Sequence, residues 1–162
     1  MAAVDAAAGT DRQAYERLIG SLPPGDVARG HDVYASKKAA CTTCHAMAYA
    51  GGQFGPDLTR IGGIRQPRDL LEAILLPSAS FVRSYEPVTV VTVDGRTASG
   101  ILRDQTATEI VVQTGPSTHE RIPRDAVESI EPGTVSPMPR GYDTLLTPQE
   151  LADLVAFLAQ AR

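Results

Sequence analysis

The two cysteines of this 162-residue chain lie three positions apart, and a histidine directly follows the second one. The segment reads Cys41-Thr-Thr-Cys44-His45. This spacing is the attachment signature of a c-type haem, because one short turn can present both thiols to the two vinyl groups of one porphyrin. The adjacent imidazole can then offer a nitrogen to the iron. The motif therefore predicts one covalently held haem, with His45 as an axial ligand.

Three other interpretations of the two cysteines are weaker. A redox-active dithiol uses this spacing within a thioredoxin-like βαβ unit, and no such pattern surrounds Cys41. A zinc site would need two further ligands, and the sequence has no second closely spaced Cys or His pair. A disulfide across two intervening residues would be strained. Haem attachment is the favoured interpretation.

The iron of such a haem needs a ligand on its second face, and Met138 is the favoured candidate. It lies in the segment Ser136-Pro-Met-Pro-Arg-Gly141, where prolines on both sides restrict the backbone. A rigid loop would hold a weak thioether ligand without a repeated ordering cost. The other candidates are Met1, Met47, His31 and His119.

Composition excludes several classes of protein. The net charge is −4 and the pI is about 5.3, which argues against nucleic acid as the main partner. No apolar run is long enough for a transmembrane helix. The alanine-rich start has neither a basic region nor a long apolar region, so no secretory signal is expected there. With 5% aromatic residues and no Trp, the core must rely on aliphatic side chains.

Helical patterns flank a central segment rich in β-branched residues. Capping signals and apolar spacing predict helices over residues 11–19, 27–38 and 67–76 and a C-terminal helix from Pro148. Five short strands are predicted over residues 87–94, 97–102, 109–114, 119–123 and 126–130. The fold class expected from this order is mainly α, with a helical haem domain interrupted by an inserted antiparallel β module.

The expected organisation has three parts. Residues 1–24 form an N-terminal extension with a short helix, and residues 1–9 of it are expected to be a disordered lead-in or a linker remnant. Residues 25–84 and 132–162 form the haem domain, and residues 85–131 form the β module. The strand spacing of this module resembles small SH3-like or Sm-like barrels.

Taken together, the motifs resemble a class I c-type cytochrome, and most closely the planctomycete-type haem-binding domain family. The resemblance runs from about Asp26 to Ala159. The segments that carry it are Gly30-x-x-x-Tyr34, the Cys41–His45 motif, Gly55-Pro-Asp-Leu58, Leu70–Ser78, Thr92–Gly95, Ser136–Gly141 and Leu151–Leu158. The expected fold is therefore a cytochrome c-like helical domain around one haem.

The resemblance also implies roles for single residues. The carbonyl of Pro56 would accept a hydrogen bond from the His45 imidazole. Leu58 would pack on the haem, and Arg60 would face a propionate or remain solvated. Gly30 and Tyr34 would cross the C-terminal helix near Leu154 and Phe157.

The expected function is electron transfer by a haem with His45 and Met138 as axial ligands, so the protein would be a carrier and not an enzyme. One alternative is a haem enzyme or gas sensor with an open or displaceable distal site. Another is a partner-binding module that uses the β insertion. Expected partners are a redox protein, including a sugar-dehydrogenase-like domain, and a second copy of the chain. The expected compartment is the periplasm, where covalent haem attachment occurs.

Overall fold

The computed structural model describes residues 11–162 and shows a protein built from both α and β structure. Helix accounts for 35% and strand for 23%, and the strands form a five-stranded antiparallel sheet. The predicted mainly α class is therefore wrong. The helices of residues 25–84 and 132–162 are short and separated by long loops, so the sheet carries a large share of the regular structure. The prediction of a disordered lead-in over residues 1–9 lies outside the described residues.

Six helices are described: α1 (residues 11–18), α2 (Val27–Ala35), α3 (Cys41–Cys44), α4 (Pro67–Leu75), α5 (Tyr142–Leu145) and α6 (Pro148–Gln160). The Thr147 side chain caps α6 in a capping box with Glu150. Helix α2 ends three residues earlier than predicted. Ser36 leaves the helical region there, and its hydroxyl accepts a hydrogen bond from the amide of Ala39.

The crossing of α2 and α6 organises the helical part. A Cβ atom on Gly30 would lie 1.9 Å from the carbonyl oxygen of Asp153, so only glycine permits this approach. The rings of Tyr34 and Phe157 are 5.5 Å apart at the same crossing. The crossing predicted at Gly30 and Tyr34 is present. The apolar core that it covers includes Leu71, Leu151 and Leu154.

The sheet comprises β3 (Pro87–Thr92), β4 (Thr97–Gln105), β5 (Glu109–Gln113), β6 (His119–Pro123) and β7 (Val127–Pro132). Its strand order is β6-β5-β4-β3-β7, so all five predicted strands are present and antiparallel. A separate apolar core lies on it, comprising Val90, Ala98, Ile110, Val112 and Ile122. The expected small barrel is not a closed one. A 3₁₀ turn over Arg124–Ala126 sends β7 back beside β3, and no β6–β7 pairing occurs among the described residues.

A short hairpin directly after the haem motif was not predicted. Strands β1 (Ala46–Met47) and β2 (Ala50–Gly51) pair across a two-residue turn. Both turn residues, Ala48 and Tyr49, have positive φ angles of 49° and 69°. Such turns normally carry Asn-Gly or Asp-Gly, so the sequence lacked the usual signal.

No helix among residues 11–162 is both long enough and apolar enough to cross a membrane.

Candidate functional site

The two cysteines occupy the ends of α3, a helix of four residues. The chain enters it through Ala40, which has a left-handed conformation with φ of 53°. His45 then leaves the helix in an extended conformation, while its amide donates to the Cys41 carbonyl at 2.9 Å. Both thiols are free and partly exposed, and no disulfide joins them. One tight turn therefore carries both cysteines and ends at His45.

The surroundings of Cys41 and Cys44 disfavour the thiolate form. Burial raises the pKa of Cys41 to about 11, and burial also raises the pKa of Cys44. A catalytic dithiol needs the opposite shift, because the thiolate is its reactive form. The environment of Cys41 and Cys44 therefore disfavours the alternative of a thioredoxin-like redox pair.

His45 has the hydrogen bond that the resemblance implied. Its Nδ1 lies 2.8 Å from the carbonyl oxygen of Pro56. A carbonyl can only accept, so Nδ1 carries the proton and Nε2 keeps a free lone pair. Burial lowers the pKa of His45, and the bond to Pro56 opposes part of that shift. A neutral imidazole with a fixed tautomer is the form that ligates a metal.

The loop that follows β2 wraps around this imidazole. The amide of Gly55 donates to the Cys44 carbonyl at 2.8 Å, and the amide of Gly52 donates to the Thr42 carbonyl at 2.9 Å. A Cβ atom on Gly55 would lie 2.5 Å from Cε1 of His45. Glycine therefore lets the backbone lie against the ring, which fixes the ring between this loop and α3.

Two buried tyrosines hold the ends of the motif. The hydroxyl of Tyr34 donates to the His45 carbonyl at 3.1 Å, and that of Tyr142 donates to the Ala39 carbonyl at 3.0 Å. Burial raises the pKa of Tyr34 to about 12 and also raises the pKa of Tyr142, so both hydroxyls remain protonated donors. The sequence identified Tyr34 only as a helix contact. The role of Tyr142 was missed, and its only signal was an aromatic residue after the Met138 loop.

Met138 is partly buried against the same apolar core as Cys41. Its loop is held at three points. The Met138 amide donates to the Ser136 hydroxyl at 3.1 Å, and the Ser136 amide donates to Ser78 at 2.9 Å. Arg140 forms an ion pair with Asp11 of α1. These contacts fix the loop in addition to the two flanking prolines.

The other predicted residues lie at different depths. Leu58 is partly buried against the core, and its amide donates to the Ala46 carbonyl at 2.9 Å. Arg60 is exposed where a 3₁₀ turn over Ile61–Gly63 begins. Together with Cys41 and Met138, Leu58 belongs to the partly buried apolar side chains that pack against the helical core. The same set contains Met47 and Ile61.

The competing ligands are less suitable. His31 is exposed on α2, and its ring packs edge-on against Phe157 at 5.4 Å. His119 is exposed on β6, where it lines a cavity of about 650 Å³ between the sheet and the loop that contains Gly55. Met47 is in β1, two residues after His45, and Met1 is outside the described residues.

The donor set fits a c-type haem. The fit rests on two unbonded thiols and on a neutral imidazole with an unused nitrogen. Residues 11–162 contain no group of three or more Cys, His, Asp or Glu side chains placed to hold a metal ion. No protein-family model matches the chain, and no curated protein matches its sequence.

Proposed function

We propose that this protein is a c-type electron carrier that holds one haem through Cys41 and Cys44. The single observation that carries the proposal is the hydrogen bond from His45 Nδ1 to Pro56, which leaves Nε2 free beside two unbonded thiols. When bound, the haem supplies a one-electron change between ferric and ferrous iron.

The chain's residues would supply the holding and orienting functions. Each thiol would add across one vinyl group, which forms a carbon–sulfur bond and moves the thiol proton to the neighbouring carbon. The Pro56 carbonyl keeps the His45 ring in one tautomer and makes Nε2 more basic. Tyr34 limits movement of the same residue through its main-chain carbonyl.

We further propose Met138 as the second axial ligand. Its loop is restrained by Ser136, Ser78 and the ion pair of Arg140, so little conformational entropy would be lost when the sulfur binds. Ligation by His and Met favours the ferrous state and raises the reduction potential. This suits a carrier with both axial positions filled. Leu58 would cover the haem, and Arg60 would lie near a propionate.

Partners and compartment follow from the resemblance and belong to the same proposal. A redox protein, such as a sugar-dehydrogenase-like domain, would exchange electrons with the haem in the periplasm. The β module would dock such a partner or a second copy of the chain.

The decisive experiment is expression with c-type haem maturation machinery. We expect pigment that resists acid–acetone extraction in the parent and is lost in the double variant Cys41→Ala/Cys44→Ala. The ferric parent should show a Met-to-iron charge-transfer band, and its ferrous form should not bind carbon monoxide.

The Met138→Ala variant should lose that band and gain carbon monoxide binding, whereas Met47→Ala should behave as the parent. A colourless parent refutes haem attachment. A pigmented parent that binds carbon monoxide refutes ligation by Met138 and favours the open-site enzyme or sensor.

A further inference from the structure

We propose that Arg103, in the β module, is a positioning residue for the proximal imidazole of His45. It would link the sheet to the haem ligand through the loop that contains Gly55 and Pro56. An effect of Arg103 on the iron depends on the proposed function. The contacts of Arg103 with the sheet and the loop do not depend on it.

The first observation is a β-bulge. Leu102 pairs with Val112 and Asp104 pairs with Val111, so Arg103 is an extra residue in β4 with no partner in β5. A bulge redirects the side chain of the inserted residue out of the regular alternation, and bulges are frequent next to functional sites. The bulge directs the Arg103 side chain toward the loop beside the haem motif.

The second observation is a buried anchor for the guanidinium. Gln113 of β5 is only 3% exposed. Its amide nitrogen donates to the Pro116 carbonyl at 3.2 Å, and its amide oxygen accepts from Arg103 Nε at 2.6 Å. The Pro116 carbonyl fixes the orientation of this amide, because a carbonyl can only accept. The Tyr85 ring lies under the guanidinium at 4.9 Å, which adds a cation–π contact.

The third observation concerns the far end of Arg103. Its Nη2 donates to the main-chain carbonyls of Gln53 and Phe54. Within residues 11–162 no other donor reaches either carbonyl. The next two residues are Gly55, which lies against the His45 ring, and Pro56, whose carbonyl accepts a hydrogen bond from His45 Nδ1. The route from the guanidinium to the imidazole therefore runs through consecutive backbone units.

The consequence is that the sheet restrains the hydrogen bond that sets the basicity of His45. Loss of the Arg103 contacts would free the carbonyls of Gln53 and Phe54, and the Pro56 carbonyl would then hold Nδ1 less well. A less basic imidazole stabilises ferric iron less, so the reduction potential would rise.

The test compares Arg103→Lys and Arg103→Met with the matched control Arg121→Met. Lysine keeps the charge but cannot donate to Gln113 and both carbonyls at once. Arg121 is in the same sheet, is mostly exposed and contacts Glu109. Hydrogen exchange of the Gly55 amide and of the His45 Nδ1 proton is followed by NMR in the ferrous protein, and the reduction potential is measured by redox titration.

We expect both protons to exchange about tenfold to a hundredfold faster in the two Arg103 variants, as loss of charge-assisted hydrogen bonds implies. The reduction potential should rise in Arg103→Lys. This variant keeps the positive charge, so a loss of charge near the haem does not contribute to the shift. Arg121→Met should leave exchange unchanged. Equal exchange in the parent and Arg103→Lys, or the same acceleration in Arg121→Met, overturns the proposal.

One fallback variant and one further measurement keep the outcomes distinct. If Arg103→Met does not fold, Arg103→Lys decides by the same readouts. If the parent carries no covalent haem, the proposed function fails, while exchange of the Gly55 amide in the haem-free chain still tests the contact of Arg103 with the loop.

Discussion

Replacement of Asp153 by asparagine should weaken the crossing of α2 and α6, on which the position of Tyr34 depends. The Asp153 side chain is 3% exposed and accepts from Arg29, from the Asp26 amide and from Gln149. The two bonds from Arg29 have lengths of 2.7 and 2.9 Å. An asparagine side chain has one acceptor oxygen and no charge, so some of these donors would lose their partner.

The magnitude follows from those contacts. A hydrogen bond to a charged group contributes about 1.5–3 kcal/mol. Arg29 is 57% exposed and can be solvated by water when its partner is lost, so the lower part of that range applies. We therefore expect Asp153→Asn to lower the free energy of unfolding by about 1.5–2 kcal/mol at pH 7, measured by urea denaturation.

The pH dependence gives a second signature. The hydrogen bond from Arg29 is the main reason that the pKa of Asp153 is lowered to about 2, from an ordinary value of 3.8. A carboxylate whose pKa is lower in the folded state stabilises the fold above its unfolded pKa. That contribution is lost as the pH falls through the folded value. The parent should therefore lose stability between about pH 4 and pH 2, and Asp153→Asn should lose less over that window.

The matched control is Asp32→Asn. Asp32 is on α2, as Arg29 is, and its side chain is 84% exposed. We expect this change to alter the unfolding free energy by less than about 0.5 kcal/mol. Equal stabilities of the Asp153→Asn and Asp32→Asn variants at pH 7, or parallel pH profiles of parent and Asp153→Asn, would refute the reasoning.

Three other changes test the immediate surroundings of the motif. Gly55→Ala should lower the unfolding free energy by about 1–3 kcal/mol in thermal denaturation, because the added Cβ would meet the His45 ring. The control Gly63→Ala should be near neutral in the same assay, because a Cβ atom there has open space. Tyr142→Phe should cost about 1–2 kcal/mol in urea denaturation, since the buried Ala39 carbonyl loses its donor, and an unchanged midpoint would contradict this. Asn-Gly in place of residues 48–49 should raise the melting temperature, because these residues adopt the positive φ angles of the turn with less strain than Ala and Tyr. A decrease would show that the turn is unstrained.

Much of the local structure was predictable because the signals are short-range. The capping box at Thr147 fixes where α6 begins, and the apolar spacing along Leu151–Leu158 fixes the face that is buried. The β-branched run before Asp94-Gly95 predicted β3 and its turn into β4. The haem motif places two thiols and an imidazole on one turn for the same reason, since all three groups lie within five consecutive residues.

The errors have equally specific causes. The mainly α class followed from treating the strands as an insertion in a helical domain, although the sheet is a large part of the fold. The β1–β2 hairpin was missed because Ala48 and Tyr49 carry no turn signal. The strand spacing suggested a small barrel, but spacing does not say which strands become the edges.

The sequence alone determined the motif and the helices that precede and follow the sheet in the chain. The resemblance added Pro56 as the partner that sets the tautomer of His45. Only the tertiary structure decided that β6 and β7 form the two edges, that Tyr142 holds the start of the motif, and that a bulge turns Arg103 toward the loop around His45. These features join residues far apart in the chain. They depend on pairing register and close packing, which local propensities do not encode.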